Sequence, residues 1–525
     1  MTGTEVDPSS REEADPAARG PVSAPLLAIF RGSWERHNEL IRNVLTLLAT
    51  TGVSLALGFA YWNIAARLFS QAAVGYGSAA VSAMTFLSSF GTFGLNTLLI
   101  GALPNRTRRA GLIAAAMLAA ALGALVLAVG FVIIAPHVTE NYDDVAQSAE
   151  GAAVFCCGVA LTAAAVVFDA ATIGMLRGGL QLTRNITFVI TKIVTLLGVA
   201  LALHYTVGLG IFASWVAAIP VSLLAVAAIF WINGRAFTLP RPDWTILKSL
   251  GRSLAAHNWL NLALQMPGLL TPVLAASILT PATNAAYYVA TTVVSGLLFL
   301  PAHMSTVLFA LGAADPEALP GRLRFSLRVS LLVGLAGLVI LGFGAHLILG
   351  IFGAGYARIA TLPMEIMVLA SIPAIPNSFY IAVARASNKL SQAASLVTSF
   401  TILYFIAVVA GAVNGGLVAM SVAALVVVTV EAVVTTPMVL RAARDAGRHR
   451  RAGEVATSSP RVGSQAQERS AGAGKLSPGA GGRDRQQLSG LAMLMSLATP
   501  NTVTMLAITE DSHESLQAAL SKSDP

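Results

Sequence analysis

Asp169 and Lys192 are the residues whose types and spacing point most directly to chemistry, because each interrupts a long apolar stretch. A charged side chain at the centre of a membrane helix costs about 2.5–3.5 kcal/mol and usually faces protein or water. The two residues lie at similar distances from the turn around Gly178–Gln181, which predicts that they meet as an ion pair in a helical hairpin. Two interpretations stay open, a gated site or proton relay and a neutralised pair that fixes helix register.

Glu431 is a further embedded charge, with no obvious basic partner at its depth. It is a candidate proton or ion carrier, and the alternative is a carboxylate near the cytoplasmic half that water satisfies. Arg67 and Arg358 lie at the outer edges of their apolar stretches. Solvation is cheap at that depth, so interfacial anchoring is the simplest role for Arg358.

A polar stripe runs along the segment HNWLNLALQMPGLLTPVL, where four polar residues recur at three- and four-residue spacing on one helix face. These residues are His257, Asn258, Asn261 and Gln265. Such a stripe is unfavourable against lipid, so it lines a partner helix or a wet cavity. Tyr61 and Asn63 give the first apolar stretch a sparser polar face. We expect both faces to line a central cleft, and ordinary interhelical hydrogen bonding is the alternative.

No pattern in the chain is typical of a catalytic triad, a zinc site or a phosphate-binding glycine loop. Cys156 and Cys157 are adjacent and fit neither a disulfide framework nor a metal-ligand spacing. Basic residues do not alternate with aromatic ones, so the net charge of +8 does not indicate nucleic-acid binding. We therefore predict no enzyme activity, no metal, no cofactor and no nucleic-acid partner.

Long apolar stretches must position these residues. The chain is 55% hydrophobic and 11% charged, whereas soluble domains carry roughly a quarter charged residues. About 20 apolar residues span a bilayer as a helix, and about 12 such stretches fill 43–440. We place them at 43–68, 74–103, 110–135, 151–176, 186–206, 210–232, 254–279, 285–311, 326–350, 364–384, 392–413 and 416–440. The predicted fold class is an all-α polytopic membrane protein.

Positive charge orients the stretches, because one set of alternate loops carries most of the loop Arg and Lys residues. This pattern predicts both termini in the cytoplasm. High Ala, Gly and Arg contents with only five Lys residues indicate a GC-rich bacterium, so the expected location is its cytoplasmic (inner) membrane. Residues 1–42 are expected to be a disordered lead plus an interfacial helix. Residues 441–525 are expected to be a basic and then low-complexity tail, mostly disordered, with a partner-docking helix as the alternative.

The stretches also divide into two sets of six whose starts are offset by about 210 residues. An even number of spans keeps the second copy parallel to the first, so we predict two lobes related by a pseudo-two-fold axis along the membrane normal. The N-lobe occupies 43–232 and the C-lobe 254–440, and a cytoplasmic linker, 233–253, joins them.

Three segments carry a family resemblance. FAYWNIAARLFSQAAVGYGSAAVSAMTFLSSFGTFGLNTLLI resembles the first two spans of oligosaccharide flippases in the multidrug/oligosaccharidyl-lipid/polysaccharide exporter superfamily. FDAATIGMLRGGLQLTRNITFVITKIVTLLG resembles the fourth and fifth spans of an actinobacterial-type branch of the polysaccharide biosynthesis proteins. IFGAGYARIATLPMEIMVLASIPAIPNSFYIAVARASNK resembles that branch's loop and tenth span. The resemblance covers about 43–440.

The resemblance implies two lobes in a V around a cavity that opens alternately to the two sides. It also implies movement of a polyprenyl-linked glycan, of the O-antigen type or a polysaccharide precursor, to the outer leaflet. The expected partners are this lipid-linked substrate, membrane lipids and, through the tail, proteins of cell-envelope glycan synthesis. The alternatives are a cation-coupled drug or metabolite antiporter, a membrane glycosyltransferase or ligase, and a non-transporting scaffold.

Overall fold

The computed structural model describes eight parts of the chain. They are residues 55–103, 109–175, 178–202, 208–232, 242–244, 255–314, 318–387 and 389–444. Within these parts every long element is a helix and no strand occurs, which confirms the all-α prediction. The predicted lead, interfacial helix and tail, and most of the linker, lie outside the described residues.

The described residues of the first half form eight helices. They are α1 (55–68), α2 (Gln71–Gly91), α3 (Leu95–Ala102), α4 (Arg109–Ile134), the single turn α5 (Asp143–Ala146), α6 (Ala149–Gly174), α7 (Gly178–Ala202) and α8 (Gly208–Ile232). Two short 3₁₀ turns, Ala135–His137 and Glu140–Tyr142, connect α4 to α5. The second apolar stretch is broken into α2 and α3 because Phe93 and Gly94 have φ angles of 45° and 78°.

The second half contains α9 (Ala255–Ile278), α10 (Pro281–Ala314), α11 (Leu319–Gly337), α12 (Ala345–Gly350), α13 (Ala354–Ala386) and a last helical stretch, Leu390–Arg444. One π-helical turn, Leu338–Gly342, follows α11. The backbone of Gly415 and Gly416 leaves the helical region inside the last stretch. This stretch is therefore two helices, α14 (390–414) and α15 (417–444), which meet at the predicted break between the last two spans.

Apolar side chains cover the outside of this bundle. Within the described residues, eight helices are long and apolar enough to cross a membrane. Leu201 and Phe343 are 82% and 89% exposed, among many other outward-facing apolar residues. A soluble protein rarely exposes so large a continuous apolar surface, whereas lipid covers it without cost. The chain is therefore a multi-pass membrane protein.

The two halves are joined along α2, and one continuous hydrophobic core contains residues of both. Most helix contacts join α2–α8 among themselves or α9–α15 among themselves, and α2 packs on both α9 and α10. The starts of α2 and α10 are capped alike. Ser70 Oγ accepts from the Ala73 N–H at 3.2 Å, and Thr280 Oγ1 accepts from the Thr283 N–H at 3.4 Å. Ser70 and Thr280 are about 210 residues apart, which is the offset predicted for the internal repeat.

The equivalent starts of α2 and α10 also contact each other, as equivalent segments do about a two-fold axis. Gln71 Nε2 donates to the Ala282 carbonyl at 3.1 Å, and Asn284 Nδ2 donates to the Gly75 carbonyl at 3.0 Å. The close approach needs glycine, because an ideal Cβ on Gly75 would lie 1.9 Å from the Pro281 carbonyl oxygen. The starts of α2 and α10 therefore face each other across the pseudo-two-fold axis.

Candidate functional site

A cavity of about 750 Å³ lies between the two halves. Helices α1, α3, α6, α7 and α8 line it from the first half, and α9, α10, α13, α14 and α15 line it from the second. Its ionisable and amide side chains include Asp169, Gln181, Arg184, Lys192, Gln265 and Glu431. The volume is within the range of sites that hold drug-sized ligands, about 300–1,000 Å³. The cavity is therefore large enough for a ligand of that size.

Hydrogen bonds join the halves where α1 and α9 end and α10 begins, beyond the parts of these helices that line the cavity. Asn63 Nδ2 and the Arg67 guanidinium both donate to the Ile351 carbonyl, at 3.2 and 3.0 Å. The contacts of Gln71 and Asn284 described above belong to the same end. We call this set of inter-lobe contacts, with those of Asn141 below, the closed end.

The connection between α4 and α6 supplies the rest of the closed end. Asn141 Nδ2 donates to the Leu279 carbonyl at 2.6 Å and also to the Ala276 carbonyl. The Tyr142 hydroxyl donates to the Val273 carbonyl at 3.4 Å. All three acceptors are main-chain oxygens near the end of α9, so the loop binds the helix without recognising its side chains.

Asp169 pairs with Arg184, and the predicted ion pair with Lys192 is wrong. Arg184 Nε donates to Asp169 Oδ1 at 2.6 Å, and Arg184 Nη2 donates to Asp169 Oδ2, which is the bidentate geometry that favours arginine. Arg184 Nη2 also donates to Asn185 Oδ1 at 2.7 Å. The physical reason is the position of the turn. Helix α6 ends at Gly174 and α7 already begins at Gly178, so the residue opposite Asp169 is Arg184.

Lys192 lies eight residues further along α7, about 12 Å deeper than Arg184 at 1.5 Å per residue. Its side chain is 4% exposed and lines the cavity. Its Nζ lies 4.0 Å from the centroid of the Trp215 ring, 4.9 Å from that of Tyr61 and 5.2 Å from that of Phe188. Within the described helices no carboxylate forms an ion pair with Lys192.

We call Tyr61, Phe188 and Trp215 the ring cluster. It is rigidly held, since the Tyr61 hydroxyl lies 3.1 Å from the Ile211 carbonyl, to which it donates, and 3.0 Å from Ser214 Oγ. The Tyr61 and Trp215 rings meet edge to face at 5.1 Å. Three helices, α1, α7 and α8, thus hold aromatic rings around one ammonium group.

Trp62 connects this cluster to the other half of the molecule. Its ring lies 5.9 Å from Trp215 and 4.7 Å from Tyr288 of α10, measured between centroids. Aromatic pairs at such distances contribute about 0.5–1.5 kcal/mol beyond area burial. The wall around Lys192 is therefore continuous with the interface between the lobes.

Glu431 lies on α15, in the second half, and also lines the cavity. Asn377 Nδ2 donates to Glu431 Oε2 at 3.1 Å, and Thr435 Oγ1 donates to Asn377 Oδ1 at 2.7 Å. Asn377 is thereby oriented with its amide nitrogen toward the carboxyl group. In the part of the chain that the structure describes, no Lys or Arg forms an ion pair with Glu431.

The polar stripe of α9 is only partly placed. Gln265 lines the cavity, as expected. The side chains of His257, Asn258 and Asn261 lie outside the described residues, and their place in the cleft stays a prediction.

The remaining candidates lie away from the cavity wall. Tyr61 is fully buried in the ring cluster, and Asn63 is at the closed end. Both were expected to line the cleft, but each uses its polar atoms to hold helices together. Arg67 is exposed and belongs to the closed end. Arg358 is exposed near the start of α13, which is consistent with the predicted edge position.

Comparison with known proteins identifies the fold. No family model and no curated protein matches the chain. Among solved structures, it is similar to the lipid II flippase MurJ in an inward closed conformation, with 12% identity, a TM-score of 0.55 and coverage of 86% of this chain and 97% of that one.

Two MATE transporters are also similar. An inward-facing multidrug resistance MATE family transporter of the MOP superfamily has a TM-score of 0.53 at 14% identity, with coverage of 77% and 99%. The eukaryotic MATE transporter AtDTX14 has a TM-score of 0.50 at 13% identity, with coverage of 79% and 99%. Likeness at this level of identity shows the fold alone, so the chain is a polytopic membrane protein whose fold is similar to the folds of these three transporters.

Proposed function

We propose that this protein is a membrane transporter that moves a polyprenyl-linked oligosaccharide or polysaccharide precursor across the cytoplasmic membrane by alternating access. The observation that carries the proposal is the cavity between two lobes, lined by charged and amide groups and closed at one end by contacts that bridge the lobes. One of the similar folds belongs to a protein named as a lipid II flippase. No covalent step is part of the proposed function.

The size and character of the cavity support a lipid-linked unit as the cargo. About 750 Å³ accommodates a polar headgroup of limited size, whereas a polyprenyl chain gains most by staying in lipid. The exposed outer surface of the helices is apolar and offers such a chain a hydrocarbon environment. The headgroup would therefore cross through the cavity while its lipid anchor moves alongside the protein.

The closed end is built in a way that permits reopening. Its hydrogen bonds end largely on main-chain carbonyls, and each such bond contributes a net of only about 0.5–1.5 kcal/mol. Carbonyls that lose a side-chain donor at a membrane surface can accept from water instead. Binding energy of a ligand in the cavity is thus of the right order to separate the lobes at this end.

We propose that the protein lies in a bacterial inner membrane, with both termini on the cytoplasmic side because one set of loops carries most of the positive charge. The segment after α15 is the part of the chain proposed to bind proteins of cell-envelope glycan synthesis. It lies outside the described residues.

A cation-coupled antiporter is the second candidate function, and Glu431 favours it. A carboxyl group that faces a membrane cavity without a basic partner can bind a proton or a cation and release it to the other side. Asn377 holds the group in place with a neutral hydrogen bond. The same residue could also couple glycan transport to an ion gradient.

Leaflet exchange tests the proposed function. The purified protein is reconstituted with a fluorescent polyprenyl-pyrophosphoryl disaccharide, and the label in the outer leaflet is quenched over time, with and without proton and sodium gradients. We expect exchange well above that of empty vesicles. Exchange equal to that of empty vesicles under every gradient would remove the flippase proposal.

Glu431→Gln separates coupling from transport. The amide keeps a hydrogen-bond acceptor for Asn377 but cannot take up a proton, so the fold should be retained. If Glu431 carries the coupling ion, the variant loses the stimulation of exchange by a gradient and keeps the rate without one. Gradient stimulation that equals that of the wild type would exclude Glu431 as the carrier.

A further inference from the structure

Two cationic side chains of α7 reach the cavity, and their surroundings differ. Arg184 makes a bidentate pair with Asp169 and a third hydrogen bond to Asn185. These contacts neutralise its charge and occupy much of its hydrogen-bonding capacity. Lys192 has no such partner within the described helices. Its ammonium is the cavity cation for which the described residues provide no anion.

The ring cluster explains how this ammonium is tolerated. Three aromatic rings lie within 5.2 Å of Nζ, and their negative faces stabilise a cation electrostatically. Rings supply no net negative charge, however, and are poor acceptors for the three N–H groups of an ammonium. The ring cluster therefore stabilises the Lys192 ammonium but does not pair it with an anion.

The side of the Lys192 ammonium that the rings leave open faces the cavity. Lys192, Phe188 and Trp215 all line it, so an anion in the cavity can approach Nζ. Asp169 lies at the more superficial level of Arg184 and is neutralised by it. An incoming anion thus passes a compensated pair before it reaches an uncompensated cation.

We infer that Lys192 is the binding residue for the phosphate or pyrophosphate of a lipid-linked substrate, with the ring cluster as its support. The inference rests on the proposed function and assigns the headgroup's charged linkage to one point in the cavity. In the bound state the phosphate oxygens accept the N–H groups that the rings leave free. Arg184 is excluded from this role because its charge is already paired.

Binding of farnesyl pyrophosphate tests the assignment without transport. Tritiated farnesyl pyrophosphate is titrated onto the purified full-length protein in detergent, with farnesyl monophosphate and farnesol as competitors. We expect the wild type to prefer pyrophosphate over monophosphate over alcohol. Lys192→Met should weaken pyrophosphate binding at least tenfold and abolish this order, and Lys192→Arg should retain it in part.

Lys389→Met is the matched control, because it removes the same charge from an exposed position after α13. It should leave both the affinity and the order unchanged. Inorganic pyrophosphate is a further competitor, and it distinguishes a lipid-linked phosphate from a free anion. If it competes as well as farnesyl pyrophosphate, the ligand is a free anion and the lipid-linked assignment is overturned.

Two results would contradict the inference. One is a Lys192→Met protein that still prefers pyrophosphate over farnesol as the wild type does, and the other is a wild type without any such preference. Leaflet exchange distinguishes these failures from failure of the proposed function. If the wild type exchanges lipid and the Lys192→Met protein binds and exchanges it equally well, only the role of Lys192 is ruled out and the proposed function stands.

Discussion

Arg184 and Lys192 carry the same charge on the same helix, but among the described residues only Arg184 has a carboxylate partner. A buried ion pair gives modest net stability, yet removing one partner leaves an uncompensated charge and is strongly destabilising. The Asp169–Arg184 pair is therefore expected to be structural. Lys192, with rings on one side and the cavity on the other, is the residue whose charge is available for function.

Paired substitutions at Asp169 test this division. Asp169→Asn should lower the free energy of unfolding by about 3 kcal/mol, because it leaves the Arg184 guanidinium without its counter-charge. Asp169→Asn with Arg184→Gln should recover most of the loss, whereas Asp169→Asn with Lys192→Met should not. The stabilities of all three variants are compared by the midpoint of thermal unfolding in detergent. Recovery by the Lys192→Met combination instead would show that Lys192 is the true partner.

At the scale of elements, the start of α2 against α10 determines whether the closed end can form. Gly75 is needed there because a Cβ would overlap the Pro281 carbonyl. Gly75→Ala should force the two helix starts apart, although alanine is the better helix former. Gly130→Ala is the matched control, since nothing lies within 4 Å of a Cβ at that position.

Thiol labelling reports the separation. Ser78→Cys introduces a fully buried thiol beside Asn284, in a background where Cys156 and Cys157 are changed to Ala. Labelling by a membrane-impermeant maleimide should be severalfold faster with Gly75→Ala than with Gly130→Ala. Equal labelling of the two proteins would mean that close packing of α2 on α10 does not hold this end closed.

Element boundaries show how far hydropathy predicts this structure. The Gly415–Gly416 break falls where the gap between two apolar stretches predicts it. Helix α7 begins at Gly178 instead of 186, because the polar run QLTRN lowers hydropathy although it is helical. That difference placed Arg184 in a loop and gave Asp169 the wrong partner. A search for cations mirrored about the middle of the turn, between positions 176 and 177, would have found Arg184.

The whole molecule combines features that the sequence reveals with others that it hides. Apolar length and the repeat offset predict an all-α, two-lobed membrane protein, and the fold agrees. No comparable sequence pattern predicts the closed end. Its acceptors at Ile351, Ala276 and Leu279 are main-chain oxygens, which any residue at those positions would provide. The ring cluster likewise joins Tyr61, Phe188 and Trp215 from distant parts of the chain.

Orientation in the membrane is a further prediction at this scale. The excess of Arg and Lys in one set of loops places both termini in the cytoplasm. A fluorescent protein fused after Pro525 should then fluoresce in a bacterial host, and alkaline phosphatase inserted in the loop 135–148 should be active. The opposite pattern, a dark fusion and an inactive phosphatase, would show that the protein has the opposite orientation in the membrane.

Locking the closed end tests alternating access through this cavity most directly. Gln71→Cys and Ala282→Cys, in the background with Cys156 and Cys157 changed to Ala, place thiols on residues that contact each other across the lobes. A short bis-maleimide then fixes the lobes, and leaflet exchange of the polyprenyl-pyrophosphoryl disaccharide is measured before and after cross-linking. Exchange should occur before cross-linking and fall to the level of empty vesicles afterwards. Unchanged exchange in the fully cross-linked protein would contradict transport by separation of the lobes.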